Sequence, residues 1–316
     1  MSFYENKKVL VTGAHGFLGK HLCHRLLNLG ADVNMPTSHT YDLTQLYDVE
    51  TMAHNHGTID VLFHLAAHVG GIAYNQKNPA DLFYDNLTMG VNLVNLLGRG
   101  WEVEKSVFVG SVCSYPLHVP IPTSEEHLGQ GDPEPTNGAY GWAKLAVGKM
   151  LQAYHEQHKL KSAWPILANL YGVGDHCDPE RSHVISALIK KFVDAKLQNT
   201  PEVIVWGSGR ATRDFLYVDD AVDGLLACGE KMDKPDPINI ASGEQTSILY
   251  LVRQIQELVG YEGSVVFDTS KPEGQPKRCW QTWKAKHYLD WKPKTSIQDG
   301  LAKTVDWYMN EKVKWA

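Results

Sequence analysis

A tyrosine and a lysine four residues apart form the most reactive pair in the sequence. Tyr140 and Lys144 fall in a helix-forming stretch, where residues i and i+4 share one face. Because a neighbouring cation favours the phenolate form, we expect Lys144 and a bound nicotinamide together to bring the pKa of Tyr140 from about 10 towards neutrality. Such a tyrosine can exchange a proton with a hydroxyl or carbonyl oxygen. The pair therefore predicts carbonyl reduction chemistry.

Two further candidates lie about thirty residues earlier, where a predicted strand ends. Ser111 and Cys113 belong to the segment Phe108-Val-Gly-Ser-Val-Cys-Ser-Tyr-Pro116. Ser111 alone could cap a turn, and most free cysteines are small buried hydrophobic residues. The position of Cys113 two residues beyond Ser111, at the mouth of a strand, favours a functional thiol.

A glycine-rich loop near the N-terminus predicts a dinucleotide site. The strand-forming run Lys8-Val-Leu-Val-Thr12 leads into Gly13, Gly16 and Gly19, and a helical pattern covers 18–29. Glycines at such a turn let the backbone approach a pyrophosphate at the helix N-terminus. An ordinary tight turn is the alternative, but the position between the first strand and a helix favours the cofactor site.

The end of the second strand decides which cofactor is expected. NAD enzymes place an acidic residue there, whereas the segment 31–39 has none at that position and Asp32 comes too early. Thr37, Ser38 and His39 favour NADP instead, although no arginine is present to grip a 2′-phosphate.

Alternating apolar runs and helical stretches predict an α/β fold. Buried strands are expected at 60–66, 106–109 and 164–169, separated by helices near 79–99 and 138–158. This alternation is typical of a Rossmann-type, doubly wound parallel sheet.

The alternation of strands and helices ends after Asn169, which indicates a smaller C-terminal substrate lobe. We expect a cofactor-binding domain over 1–170 and a substrate lobe over 171–213 and 241–316. Residues 214–240 are expected to return to the first domain.

Composition excludes several classes of protein. The chain has 316 residues, a formal charge of −6 and no run of 18 apolar residues, so nucleic acid and membrane partners are not expected. Five cysteines without a Cys-x-x-Cys spacing suggest neither a disulfide framework nor a metal site. The N-terminus resembles no signal peptide, so we expect a cytoplasmic protein.

Further motifs accompany the glycine loop and the Tyr-x-x-x-Lys pair over residues 8–220, and together they point to a specific family. They are His64–Ile72, Gly110–Pro116, Glu134–Asn137, Asn169–Gly172, Ser182–Leu188, Val205–Gly209 and Arg213–Asp220. Together they resemble the extended short-chain dehydrogenase/reductases, and among them the GDP-L-fucose synthase family. That resemblance implies an NADPH-dependent homodimer that acts as a 3,5-epimerase/4-reductase on a GDP-4-keto sugar.

The resemblance also implies a role for each catalytic candidate. Ser111 and Tyr140 would hydrogen-bond the 4-oxygen of the sugar, and Lys144 would hold the nicotinamide ribose. Cys113 and His183 would move protons at the two carbons beside the ketone. Inversion removes a proton from one face and delivers one to the other, so two groups are needed.

Binding residues are implied in the same way. The expected NADP contacts are Gly13, His15, Gly16, Phe17, Leu18, Gly19, Ser38, Leu65, Ala66, Ala67, Tyr140, Lys144 and His183. The expected substrate contacts are Asn169, Val184, Lys191, Trp206, Arg213 and Arg278.

Some positions depart from the family pattern and leave other substrates and activities open. Val112 replaces a usual serine, Ser114 a usual apolar residue, and the loop 175–181 differs. A heptose or another deoxysugar could be the substrate, and a 4-reductase or an epimerase lacking one half-reaction remains an alternative. A 4,6-dehydratase lacks support because Val112 and Cys113 stand where an Asp-Glu pair is expected. A non-catalytic NADP-sensing protein would commonly lose Tyr140 or Lys144, and both are present.

Overall fold

The chain forms parallel strands that alternate with helices in a computed structural model, which describes residues 2–178, 182–271 and 274–313. The strands are β1 (Lys8–Thr12), β2 (Asp32–Asn34), β3 (Ile59–His64), β4 (Val103–Phe108), β5 (Gly110–Ser111), β6 (Ser162–Leu167), β7 (Asn169–Tyr171), β8 (Glu202–Trp206), β9 (Thr212–Arg213), β10 (Phe215–Tyr217), β11 (Pro237–Ile240), β12 (Thr246–Ser247) and β13 (Ser264–Asp268). The helices are α1 (Phe17–Asn28), α2 (Leu46–His56), α3 (Ile72–Lys77), α4 (Pro79–Gly98), α5 (Gly138–His158), α6 (Val184–Leu197), α7 (Val218–Lys231), α8 (Ile248–Val259), α9 (Trp283–Leu289) and α10 (Ile297–Val313).

Seven of the described strands form the main sheet. Its order is β11-β6-β4-β3-β1-β2, with β5 also paired to β6, and every pairing is parallel. Alternate residues of a strand face opposite sides, so Val9 and Val11 join one apolar core while Leu10 joins another. Both faces are therefore buried, which confirms the doubly wound α/β sheet that the apolar runs predict.

The two faces of this sheet are covered by different helices. Residues of α1, α7 and α9 build the core on one face, and residues of α2, α4 and α5 build the core on the other. None of the helices in the described part of the chain has the length and apolarity needed to cross a membrane.

A second group of elements forms its own apolar core. Strands β8 and β13 pair in parallel, and α6, α8 and α10 pack with them. We call this group the second lobe and the main sheet with its helices the sheet lobe. Helix α7 packs on α1 and β6, and β11 extends the main sheet. These contacts support our proposal that residues 214–240 return to the sheet lobe.

The parallel strands place their carboxyl ends at one edge of the sheet. The loops after β1 and β3 and the short strand β5 with its following turn meet there. Ligands of open α/β sheets bind at this edge, so the fold positions the glycine loop and Ser111 in one region.

One packing contact between α5 and β6 gives a test of this fold. A Cβ atom added to Gly148 would lie 2.0 Å from Cε2 and Cζ2 of Trp164, a residue that is 1% exposed. We expect Gly148→Ala to lower the free energy of unfolding by about 1–3 kcal/mol, measured by urea denaturation, because overpacking outweighs the helix propensity of alanine.

Gly138→Ala is the matched control for this substitution. Gly138 begins the same helix, and a Cβ there meets nothing within 4 Å. The control should leave stability unchanged or raise it slightly. Equal unfolding free energies for the two variants would show that Trp164 does not constrain the helix.

Candidate active site

Ser111, Cys113 and Tyr140 come together at the carboxyl edge of the sheet. Ser111 ends β5, and its Oγ accepts the backbone N–H of Cys113 at 3.2 Å. The Ser114 hydroxyl donates to the Gly141 carbonyl at 2.9 Å and so fixes this turn on α5. The Ser111 side chain forms hydrogen bonds with both the Cys113 thiol and the Tyr140 hydroxyl. The structure thus brings these three predicted catalytic residues together, and Lys144 joins them from the next turn of α5.

Lys144 follows Tyr140 by one helical turn, as the spacing predicts. Its Nζ lies 5.8 Å from the centroid of the Tyr140 ring, and its side chain is buried. Burial lowers the pKa of Lys144 to about 8, because the low-dielectric surroundings disfavour the ammonium.

The pKa of Tyr140 moves in the direction opposite to the one expected from Lys144. Burial raises it, the negative charge of an ionised Cys113 adds to that effect, and only Ser111 opposes it. Lys144 by itself therefore does not bring the pKa of Tyr140 towards neutrality, since desolvation of the phenolate dominates. Tyr140 keeps its proton at neutral pH and is suited to donate it to an oxygen atom.

A buried histidine near Lys144 is a site residue that the sequence analysis did not identify. His64 ends β3, and its Nδ1 shares a hydrogen bond of 2.8 Å with Oγ1 of Thr12 at the end of β1. Burial and then the Lys144 charge hold the pKa of His64 well below its usual value, so its imidazole is neutral. The sequence signal that could have identified His64 is its position at the end of an apolar strand.

The glycine loop has the shape that a dinucleotide diphosphate requires. Gly13 has a φ of +75°, and a Cβ on it would lie 2.6 Å from the backbone nitrogen of Ala66. A Cβ on Gly19 would lie 2.1 Å from the Gly13 carbonyl oxygen. Gly16 precedes α1, whose first N–H groups have no intrahelical partner and face outward. The loop therefore fits a bound pyrophosphate.

The other predicted cofactor residues surround this loop. Leu65 and Ala66 are half-buried against it, as are Phe17 and Leu18 at the start of α1, whereas His15, Ser38 and Ala67 are exposed. Asp32 begins β2 and pairs with Lys8, so it lies away from the end of the strand, as the sequence predicts.

Asn34 ends β2 at the place where a ribose contact is expected. Its Nδ2 is buried and has no hydrogen-bond partner among the described residues, while its Oδ1 shares a hydrogen bond of 3.2 Å with His56. An unsatisfied buried donor is costly, so this amide is available to an acceptor oxygen of a bound cofactor. Sequence reasoning missed Asn34 because it searched this strand for an acid.

The two predicted arginines lie close to each other and to Glu134. Arg213 donates through Nη1 to the carbonyls of Thr212, at 2.8 Å, and Gln275, at 2.6 Å. Burial lowers the pKa of Arg278, and the charges of Cys113, Arg213 and Glu134 all act on it. The cluster around Cys113 thus includes Arg278 and the carboxylate of Glu134, and the sequence analysis assigned no role to Glu134.

Lys191 and Trp206 form a separate group on the second lobe. The Lys191 Nζ lies 5.6 Å from the Trp206 ring centroid and donates to the Ile204 carbonyl at 3.1 Å. The Trp206 side chain is 58% exposed, which leaves its ring free to stack on a planar group. Asn169 is held elsewhere, since its Nδ2 donates to the Asp214 carbonyl at 3.0 Å.

His183 and Val184 lie where α6 begins. Val184 packs against the core of the second lobe, whereas His183 is exposed. Among the residues that the structure describes, none forms a hydrogen bond with the His183 imidazole. The structure therefore does not connect His183 to the Ser111, Cys113 and Tyr140 cluster.

Comparison with known proteins identifies relatives over nearly the whole chain. A family model described as the NAD dependent epimerase/dehydratase family matches residues 9–241. A probable GDP-L-fucose synthase 1 of Oryza sativa subsp. japonica is 38% identical over 311 residues, which are 98% of this chain and 94% of that protein.

Solved structures with the same fold include two with bound NADP. A GDP-L-fucose synthetase from Naegleria fowleri bound to NADP has a TM-score of 0.88 and 27% identity, covering 99% of this chain and 96% of that chain. A GDP-mannoheptose C4 reductase from Campylobacter jejuni with NADP bound has a TM-score of 0.86 and 30% identity, covering 96% and 98%.

Proposed function

This chain belongs to the NAD dependent epimerase/dehydratase family and to the GDP-L-fucose synthase family, and we propose that it is an NADPH-dependent 3,5-epimerase/4-reductase of a GDP-4-keto-6-deoxy sugar. One observation carries the proposal. Ser111, Cys113 and Tyr140 form one cluster beside a glycine loop that fits a dinucleotide. The cluster holds two hydroxyl groups that can hydrogen-bond a carbonyl oxygen and a thiol that can exchange a proton with the neighbouring carbon.

The reductase half rests on Tyr140. NADPH supplies the hydride for C4, and the glycine loop and Lys144 would hold it. Because burial keeps Tyr140 protonated, its hydroxyl can donate a proton to the 4-oxygen as negative charge develops there. Ser111 supplies a second hydroxyl to the same oxygen, which orients the ketone.

The epimerase half rests on Cys113 and His183. A 4-keto group acidifies the hydrogens at C3 and C5, and inversion needs groups on both faces of the ring. Cys113 belongs to the sheet lobe and the exposed His183 to the second lobe. A sugar held between the lobes would present one face to each group.

The nucleotide is assigned to the second lobe and its boundary. Trp206 offers an exposed aromatic face for the base, while Lys191 and Arg213 offer charge for the diphosphate.

We also propose that the enzyme is a cytoplasmic homodimer. Helices α4 and α5 pack side by side and carry the exposed side chains of Phe83, Tyr84 and Trp142. Exposed aromatic residues on such helices are typical of subunit interfaces. The five cysteines are free thiols, which suits a reducing compartment.

A 4-reductase of a GDP-heptose is the second candidate. The likeness to a GDP-mannoheptose C4 reductase from Campylobacter jejuni favours it. This enzyme would use Tyr140 in the same way and would not need proton exchange at C3 or C5.

Tyr140→Phe tests the reductase half. The substitution keeps the ring and removes the proton donor, so turnover of GDP-4-keto-6-deoxymannose should fall by about 10²–10⁴-fold with NADPH affinity nearly unchanged. Nicotinamide absorbance measures turnover, and fluorescence titration measures binding. Tyr154→Phe, on the same helix with its hydroxyl 3.2 Å from Asn95, is the control. Turnover of Tyr140→Phe within tenfold of wild type would exclude the assigned role.

Steady-state kinetics with both cofactors tests the choice of NADP. We expect kcat/KM to be higher with NADPH than with NADH by about tenfold, the worth of one hydrogen bond, because no arginine fork grips the 2′-phosphate. A clear preference for NADH would show that another group recognises the ribose of the cofactor.

Solvent deuterium exchange tests the epimerase half. In deuterated water without NADPH, wild-type enzyme should place deuterium at C3 and C5 of the 4-keto sugar, as followed by NMR. Cys113→Ser and His183→Ala should lose most of that exchange, since a hydroxyl is far less acidic than a thiol of pKa about 8.5 and alanine has no base.

Cys177→Ser controls for the loss of a thiol as such, because Cys177 packs against the core of the second lobe. It should exchange at the wild-type rate. If wild-type protein reduces a 4-keto sugar without exchanging either hydrogen, the enzyme is a plain 4-reductase and the heptose reductase becomes the better assignment.

A further inference from the structure

Arg278 is more deeply buried than a side chain that binds a diphosphate needs to be. Its side chain is 8% exposed, and its Nη1 has no hydrogen-bond partner among the described residues. A buried guanidinium donor left unpaired costs free energy, so a group that this site binds or forms should offset the cost.

The backbone around Arg278 is fixed on both sides. Its N–H donates to the Thr212 carbonyl at 3.1 Å, and the next residue, Cys279, accepts from the Thr123 N–H at 2.9 Å. The Trp280 N–H donates to the Asp214 carboxylate at 3.4 Å. These bonds leave Arg278 little freedom to follow a mobile ligand.

The same segment packs against the loop that carries Cys113. Trp280 stacks on Tyr115 with a centroid separation of 4.7 Å and an interplanar angle of 25°. The Arg278 Cζ lies 5.5 Å from the Trp280 ring centroid. Gln275 donates from Nε2 to the Leu117 carbonyl at 3.2 Å. The guanidinium is thereby held next to the turn after β5.

The groups that face Cys113 come from four elements. Burial raises the pKa of its thiol; the Ser111 hydroxyl and the Arg278 charge lower it, and the Glu134 carboxylate raises it. Tyr140 faces it from α5, and its hydroxyl is sensitive to the charge of Cys113. Arg278 is the cation among the described residues that acts on this thiol.

We propose that Arg278 is a positioning residue for the epimerase half-reaction: its buried guanidinium stabilises the thiolate form of Cys113, and Glu134 opposes it. The inference rests on the proposed function and replaces the diphosphate role for this arginine. The Cys113 thiolate accepts a proton from the carbon beside the ketone, and the electron pair of that C–H bond passes to the ketone oxygen as an enolate. Loss of Arg278 would lower the fraction of thiolate available for this step.

Alkylation of Cys113 by iodoacetamide measures the thiolate without substrate. Rates between pH 6 and 10 are resolved for this cysteine by peptide mass spectrometry, since four other thiols are present. In Arg278→Gln the pH midpoint should rise by about one unit, with about a tenfold slower reaction below the midpoint. In Glu134→Gln the midpoint should fall, and Arg278→Lys should restore most of the wild-type profile.

Lys277→Gln is the matched control, because Lys277 is the exposed neighbour in the same segment. It should leave the midpoint unchanged. An unmoved midpoint in Arg278→Gln overturns the inference, and weaker GDP binding in that variant would then restore the diphosphate role. If Arg278→Gln does not fold, judged by circular dichroism, Glu134→Gln and Arg278→Lys decide the question by the directions given.

The exchange experiment separates this inference from the proposed function. Wild-type protein that exchanges no hydrogen at C3 or C5 contradicts the epimerase assignment, whatever the thiol titration gives. Exchange in the wild type with a shifted midpoint and about tenfold slower exchange in Arg278→Gln supports the inference. Exchange lost at every pH with the midpoint unmoved indicates a structural role and overturns it.

Discussion

The geometry of the site depends on the packing of the buried Trp164 indole. It lies between the short strand that carries Ser111 and the helix that carries Tyr140, with closest approaches at Gly110 and Gly148. The two glycines have no side chain to hold the ring away, so strand and helix approach each other closely. Residues from distant parts of the chain reach hydrogen-bonding range because of this packing.

Burial then sets the protonation states at the site. Burial lowers the pKa of Lys144 to about 8 and holds the pKa of His64 well below its usual value, whereas it raises the pKa of Tyr140 and Cys113. Each shift favours the neutral form, because a low-dielectric site penalises charge. A protonated tyrosine suits proton donation, but a neutral thiol does not suit proton abstraction. A fixed cation near Cys113 opposes this effect, and the charge of Arg278 acts in that direction while burial still dominates.

The fold was largely predictable where apolar runs ended in glycine or in polar motif residues. Strands β1, β3, β4 and β6 and helices α1, α4 and α5 agree with the sequence analysis to within a few residues. Helices α2, α8 and α10 were not predicted, because they carry no motif and their burial depends on partners far away in the chain. The short strand β13 is likewise defined by its pairing with β8.

The sequence by itself determined the chemical types at the site, since glycine spacing and the Tyr-x-x-x-Lys pattern are local and survive any packing. It could not determine the direction of the Tyr140 pKa shift, because desolvation depends on atoms from the whole sheet edge. The partners of Cys113 were also beyond it, as Glu134 and Arg278 are far apart in sequence and meet only through the packing of Trp280 on Tyr115. Tertiary structure decided these points because electrostatic energies depend on distance and burial in space, which residue order does not encode.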